Sequence, residues 1–384
     1  MNAFVFRHLL FVLVALALAA CDGRPPQTPP PPPPPATAAV APAPVKVTRE
    51  AVLENTGLHI ILPTLHAVST NAQALAAAAG DFSTNATAES LARTRECWVQ
   101  TYTAWCAVQW IPQQPYYPMG VYLWPPRPNS IEGALKARSQ YDAAYMNELG
   151  AAATGLFALE YLLYDQAMMV PHRHGEPVPG PRPAPAWDQL TGANGGQRRA
   201  YLLALAELLA RQAAAVEQAW SPQGGNAVGR FIGGGQDSLD KLFNRLLENA
   251  ETTLLESLEH QIGFRSAKTF QPDRARAMSS GSSHRAVAAT LRSLQRHYAG
   301  GDGPGLDDYL RTLDPALAAR MDAHFAATLK AVQSITQPVE EAAREHADTI
   351  QPTVDALRQL EITFKTEVAS RLGVTLTFIG SDGD

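Results

Sequence analysis

From residue 49 onward, apolar residues recur at three- and four-residue spacing, and convincing strand alternation is absent. That period matches the 3.6 residues of a helical turn, so the chain can build its core only by packing helix on helix. In "REAVLENTGLHIILPTLHAVSTNAQALAAAAGDF" (residues 49–82), Pro63 is the expected kink, because a proline has no N–H to give the preceding turn. Further helices are predicted over 88–110, 130–147, 148–164, 198–220, 238–261, 283–298, 315–335 and 338–372, with a short extended stretch in "GVTLTFIG". A composition that is 46% hydrophobic and rich in alanine favours close helix contacts, since alanine loses no side-chain entropy in a helix. The expected fold is all-α, in two helical bundles of residues 49–197 and 198–384. No crisp repeat relates the halves. The segment 170–197 is rich in proline and glycine and reads as a long terminal loop of the first bundle.

Residues 1–48 do not fit that pattern. "MNAFVFRHLLFVLVALALAAC" has Arg7 ahead of an apolar run from Leu9 to Ala20, then Cys21. The run is short for a membrane span, and "LAAC" resembles a bacterial lipobox, so residues 1–20 are expected to be a lipoprotein signal peptide and Cys21 the lipidated mature N-terminus. Multiple acyl chains on that cysteine give stable anchoring, facing the periplasm. Residues 21–48 are nearly all proline, alanine and small residues and read as an extended tether. Net charge is −5 with no basic stripe, which gives no reason to expect a nucleic-acid partner.

Cys97 and Cys106 both fall in the 88–110 helix. Nine residues of helix separate them by roughly 13 Å, on opposite faces, so no bridge is expected. No HExxH, GxSxG or GxxxxGK[ST] pattern is present. "PHRHGE" puts His172, His174 and Glu176 in a loop, where alternate side chains can share a metal. His59 and His66 lie two turns apart on one helix face. Trp98 and Trp105 share that spacing on the next helix, with Arg93 a turn above them and Trp124 in the adjoining aromatic loop. Aromatics so spaced read either as core or as the wall of a polar pocket.

The acid inside the apolar run of "AAATGLFALEYLLYD" (151–165) is Glu160, ahead of the terminal Asp165. A buried carboxylate needs a partner or a metal, otherwise it takes up a proton. Arg93 is a candidate partner; a metal would need Glu160 with His59 or His66 and another acid such as Asp142. A histidine at 157 would set imidazole and carboxylate on one helical face. Phe157 stands there instead.

"ARTRECWVQTYTAW" (92–105), "YLWPPRPNSIEGAL" (122–135), "GLFALEYLLYD" (155–165) and "RLGVTLTFIGSDGD" (371–384) together resemble the imelysin-like proteins, the insulin-cleaving or M75 peptidase family of bacterial envelopes. The resemblance covers residues 50–384. It implies two helical bundles related by a diverged duplication, and a link with iron-regulated uptake and its partner proteins. The family's GxHxxE motif, proposed as part of a metal site, falls on Gly155, Phe157 and Glu160; glycine and glutamate match and histidine does not. The expectation is an envelope lipoprotein binding iron, haem, another divalent metal or a small ligand, with a metal-dependent peptidase or a ligand-free structural module as alternatives.

Overall fold

Thr87 shows how this chain starts a helix. Its hydroxyl accepts from the Ser90 N–H at 3.1 Å while the Ser90 hydroxyl accepts from the Thr87 N–H at 3.0 Å, so two otherwise unsatisfied donors are capped reciprocally. Thr87→Ala is expected to cost about 1 kcal/mol, measurable as a small drop in thermal midpoint with no change in helical signal.

In a computed structural model, the described residues are 46–165, 172–173, 176–177, 184–261, 275–345 and 347–377. The helices that position the site are α1 (Leu62–Thr84), α2 (Ala88–Cys106), α3 (Gly155–Leu163), α4 (Gly195–Trp220), α5 (Gly235–Glu248), α6 (Ser283–Ala299), α7 (Pro315–Gln333), α8 (Val339–Glu345) and α9 (Ala347–Thr363). Shorter helices join them. Apart from a two-residue antiparallel pair, His172–Arg173 with Glu176–Pro177, no strand occurs among the described residues. None of their helices is long and apolar enough to cross a membrane. The expected leader, Cys21 and the tether up to residue 45 lie outside the described residues, as do His174 and the side chains of His172 and Glu176.

The core follows the sequence period. Helix α1 buries Leu65, Val68, Ala72, Leu75, Ala79 and Phe82, and packs chiefly against α4 and α2. Helix α2 buries Leu91, Trp98, Tyr102 and Trp105, and α7 packs against α9. Cys97 and Cys106 are both free, as the helix geometry requires.

Several expected boundaries shift for physical reasons. At Pro63 the chain stays helical, with a π-helical turn over Thr56–Ile61 immediately before it; the wider register accommodates the missing N–H. The helix expected over 130–147 is two helices, Pro128–Ala137 and Ala143–Glu148, the second capped by Asp142, whose carboxylate accepts from the Tyr145 N–H at 2.8 Å. The helix expected from 148 begins only at Gly155, which has a φ of 82° and so breaks any helix running in from its N-terminal side. Residues 374–377 run on outside any helix and are clamped by Asn244, which donates to the Thr375 carbonyl and accepts from the Thr377 N–H, each at 2.8 Å.

Candidate functional site

Every residue of α3 is buried, and two carbonyls near its ends serve as acceptors for α2. The Trp98 indole donates to the Leu156 carbonyl at 2.8 Å, and the Arg95 guanidinium donates to the Leu163 carbonyl at 2.8 Å. Phe157 meets the Tyr102 ring edge-on at 5.5 Å. The expected ligand position is thus filled by an aromatic contact that anchors α3 to α2.

Glu160 is 2% exposed. Its carboxylate accepts from the Ser280 N–H at 2.9 Å, in the turn that leads into α6. Burial pushes its pKa up to about 7; the Ser280 hydrogen bonds oppose the rise and the charge of Glu340 adds to it. Glu340, on α8, is a second buried acid. Its Oε2 accepts from the Ser283 hydroxyl at 2.6 Å, and that hydroxyl accepts in turn from the Val339 N–H at 2.8 Å. Its Oε1 is buried without a hydrogen-bond partner. Burial raises Glu340 to about 7 as well, against the Ser283 hydrogen bond. Two acids from distant parts of the chain therefore flank the Ser280–Ser283 turn, each poised between neutral and charged forms near neutral pH.

Beside this turn is a narrow cavity of about 30 Å³, with Tyr102, Cys106, Gln109, Arg276, Ser283 and Thr290 as its polar wall. Arg276 also reaches over the Trp124 ring, 5.9 Å from its centroid. Burial drives the Cys106 thiol up to about 12, so it is a packed neutral group and not a nucleophile.

The other expected site residues are dispersed. Arg93 is exposed and pairs with Asp81, so the anticipated Glu160–Arg93 pair does not form; Arg276 lines the cavity, and the charge of Arg344 acts on Glu340. His66 contacts Glu217 at 2.7 Å on the surface, and His59 lines an open groove with Glu54 and Asp302. Asp142 is the helix cap described above. Trp98 and Trp105 are core, stacked on either side of Tyr102 at 5.2 and 6.1 Å. Among the described residues no group of three histidine, cysteine, aspartate or glutamate side chains is placed to hold a metal ion. The residues around Glu160, a second carboxylate and serine groups, do not fit a protein-only metal centre that includes an imidazole.

Glu340, Arg276 and Ser280 were not singled out in the sequence. Glu340 is one of two adjacent acids at a helix start, an ordinary location favoured by the helix dipole. Ser280 contributes through its backbone, which leaves no residue-type signal.

A structure of an imelysin-like protein from Psychrobacter arcticum 273-4 superposes with a TM-score of 0.66 at 16% identity, over 86% of this chain and 96% of that one. A proposed iron-regulated protein A precursor from Parabacteroides distasonis ATCC 8503 gives a TM-score of 0.66 at 15% identity, over 86% and 97%. At those identities the likeness is one of fold. No curated protein matches the chain. The imelysin model, peptidase M75, matches residues 61–364, most of the 384-residue chain, and the protein belongs to the imelysin family.

Proposed function

We propose that the protein is an envelope lipoprotein, lipidated at Cys21 and held off the membrane by residues 21–48, that binds a small ligand in the uptake of iron or another metal. The observation that carries this reading is the pair of buried acids around the Ser280–Ser283 turn, of which Ser283 both bonds Glu340 and lines a cavity. Burying one carboxylate costs stability, and burying two near each other costs more, so their retention favours a ligand that uses them. A cavity of about 30 Å³ has room for a few water-sized groups at most. That size favours a ligand of a few atoms over haem, whose ring exceeds it. The iron link rests on the family resemblance and on the description of the Parabacteroides protein as iron-regulated. The two-bundle, duplicated architecture belongs to the same reading. A peptidase would need a nucleophile or metal-activated water with a base within about 3 Å of its proton, and no contact of Glu160 favours that alternative.

Calorimetric titration of the purified full chain with Fe(II), Fe(III), Zn(II) and haem tests the proposal. Binding of at least one metal ion is expected, weakened tenfold or more in Glu160→Gln and Glu340→Gln. Heats that change with buffer would accompany it, because acids half-protonated at pH 7 release protons when they engage a cation. No binding to the intact protein, or binding unchanged in both variants, would sink it.

A further inference from the structure

Helix α6 carries a second feature, on a face that the buried acids do not use. Arg285, Arg292 and Arg296 are spaced by seven and four residues, which at 100° per residue puts them within about 20° of one line over roughly 16 Å. All three are exposed, and none has an ion pair or hydrogen bond among the described residues, although other arginines of this net-acidic chain find acids: Arg245 with Glu248, Arg311 with Asp322, Arg320 with Glu367. They line a cleft of about 870 Å³ between α6 and α2. Ala104, Ala288 and Ala289 keep its floor low, and Gln100 and Thr103 supply neutral hydrogen-bonding groups on the opposite wall. Glu96 is the acid in the lining, and it already accepts from Gln100 at 3.1 Å.

The cleft also contains a buried unpartnered group. His297 is 1% exposed and lines the cleft; its Nδ1–H donates to the Ser293 carbonyl at 2.7 Å, which leaves Nε2 as an acceptor with no partner. Burial pushes this imidazole down to about 3, so it is neutral and does not add to the cationic field. Three unpaired guanidiniums along one wall of a concave site are complementary to a ligand with several oxyanions, since a guanidinium matches carboxylate or phosphate oxygens in bidentate fashion, while the neutral His297 ring stays buried beneath them. The volume is that of a small-molecule site.

We propose that the α2–α6 cleft binds a small, extended polyanion carrying two or three carboxylate or phosphate groups, aligned along Arg285, Arg292 and Arg296. The site is independent of the Glu160–Glu340 region. Its test uses the purified full chain, titrated calorimetrically with citrate and with tripolyphosphate at low and at moderate salt, alongside co-sedimentation with phosphatidylglycerol vesicles. The proposal expects at least one soluble anion to bind, with affinity falling tenfold or more in Arg292→Gln and in Arg296→Gln and falling as salt rises. Arg320→Gln, which removes an equal charge elsewhere, and Glu160→Gln should leave that binding unchanged. The substituted arginines are exposed, so unaltered helical signal is expected in each variant. Absence of binding by both anions, or binding indifferent to Arg292 and Arg296, would overturn it. Vesicle binding without binding of either soluble anion would also overturn it, and would assign the arginine row to a membrane surface.

Discussion

Replacing Gly155 with alanine should be the most damaging glycine-to-alanine change among the described residues. At a φ of 82° an alanine is already strained by about 1–2 kcal/mol. The larger effect is steric. A Cβ at this position would lie 1.8 Å from the Gly120 carbonyl oxygen and 2.6 Å from that of Val121, and backbone at that distance has no rotamer with which to move away. Helix α3 would have to separate from the Met119–Tyr122 segment, taking with it the Trp98–Leu156 hydrogen bond and the Phe157–Tyr102 contact. A loss above about 4 kcal/mol is expected, seen as failure to accumulate folded protein or as a thermal midpoint lowered by 10 °C or so. Gly133→Ala is the matched control. Its added methyl meets nothing within 4 Å inside a regular helix, so it should be neutral or stabilising by roughly 0.5–1 kcal/mol. Equal midpoints for the two variants would refute this account of Gly155.

The second large effect is on pH dependence. Glu160 and Glu340 ionise near 4.5 in an unfolded chain and near 7 in the folded one. Between those values the folded state holds protons that the unfolded state has released, so their contribution is fully present below pH 4.5 and is lost as pH rises through 7. The loss is roughly 3 kcal/mol for each acid taken singly, and their mutual interaction keeps the two from adding simply. His297 works in the opposite sense. Depressed from 6.5 to about 3, it contributes stability above pH 6.5 that disappears as pH falls toward 3. Two acids outweigh one histidine between pH 4.5 and 6.5, so the contribution of these three groups should peak near pH 4.5 and fall through neutrality. Glu160→Gln keeps an acceptor for the Ser280 N–H while removing the buried charge. It should raise the thermal midpoint at pH 8 by several degrees and change it little at pH 4.5. If the variant is equally destabilised at both pH values, the carboxylate is not the strained group proposed here.

Much of the fold was legible because burial and helical period coincide: Leu65, Val68, Ala72, Leu75 and Ala79 read as one stripe and are one stripe. Glu160 was legible for the converse reason, as an acid where every neighbour is apolar. The partners were not. Arg93 looked like a suitable cation because it shares a helix with Trp98, but spacing along one helix says nothing about which neighbouring helix a long side chain faces, and Asp81 is nearer to hand. Gly155 was legible only as the glycine of a family motif; its structural role depends on the carbonyls of Gly120 and Val121, more than thirty residues away in sequence. Arg285, Arg292 and Arg296 were visible as letters, and only the small residues of α2 opposite them turn the row into a cleft.

The packing of α1 against both α2 and α4 bears on when this chain can fold. Its neighbour α2 follows within a few residues, whereas α4 emerges from the ribosome more than a hundred residues after α1 ends. Until then one side of the α1 stripe has no native surface to meet, and the α1–α2 pair is an open-faced hairpin. A protein arranged this way gains its stability late in synthesis. Completion of the core around α1 therefore waits for residues 195–220, and a chain interrupted before them is left with an apolar stripe open on one side.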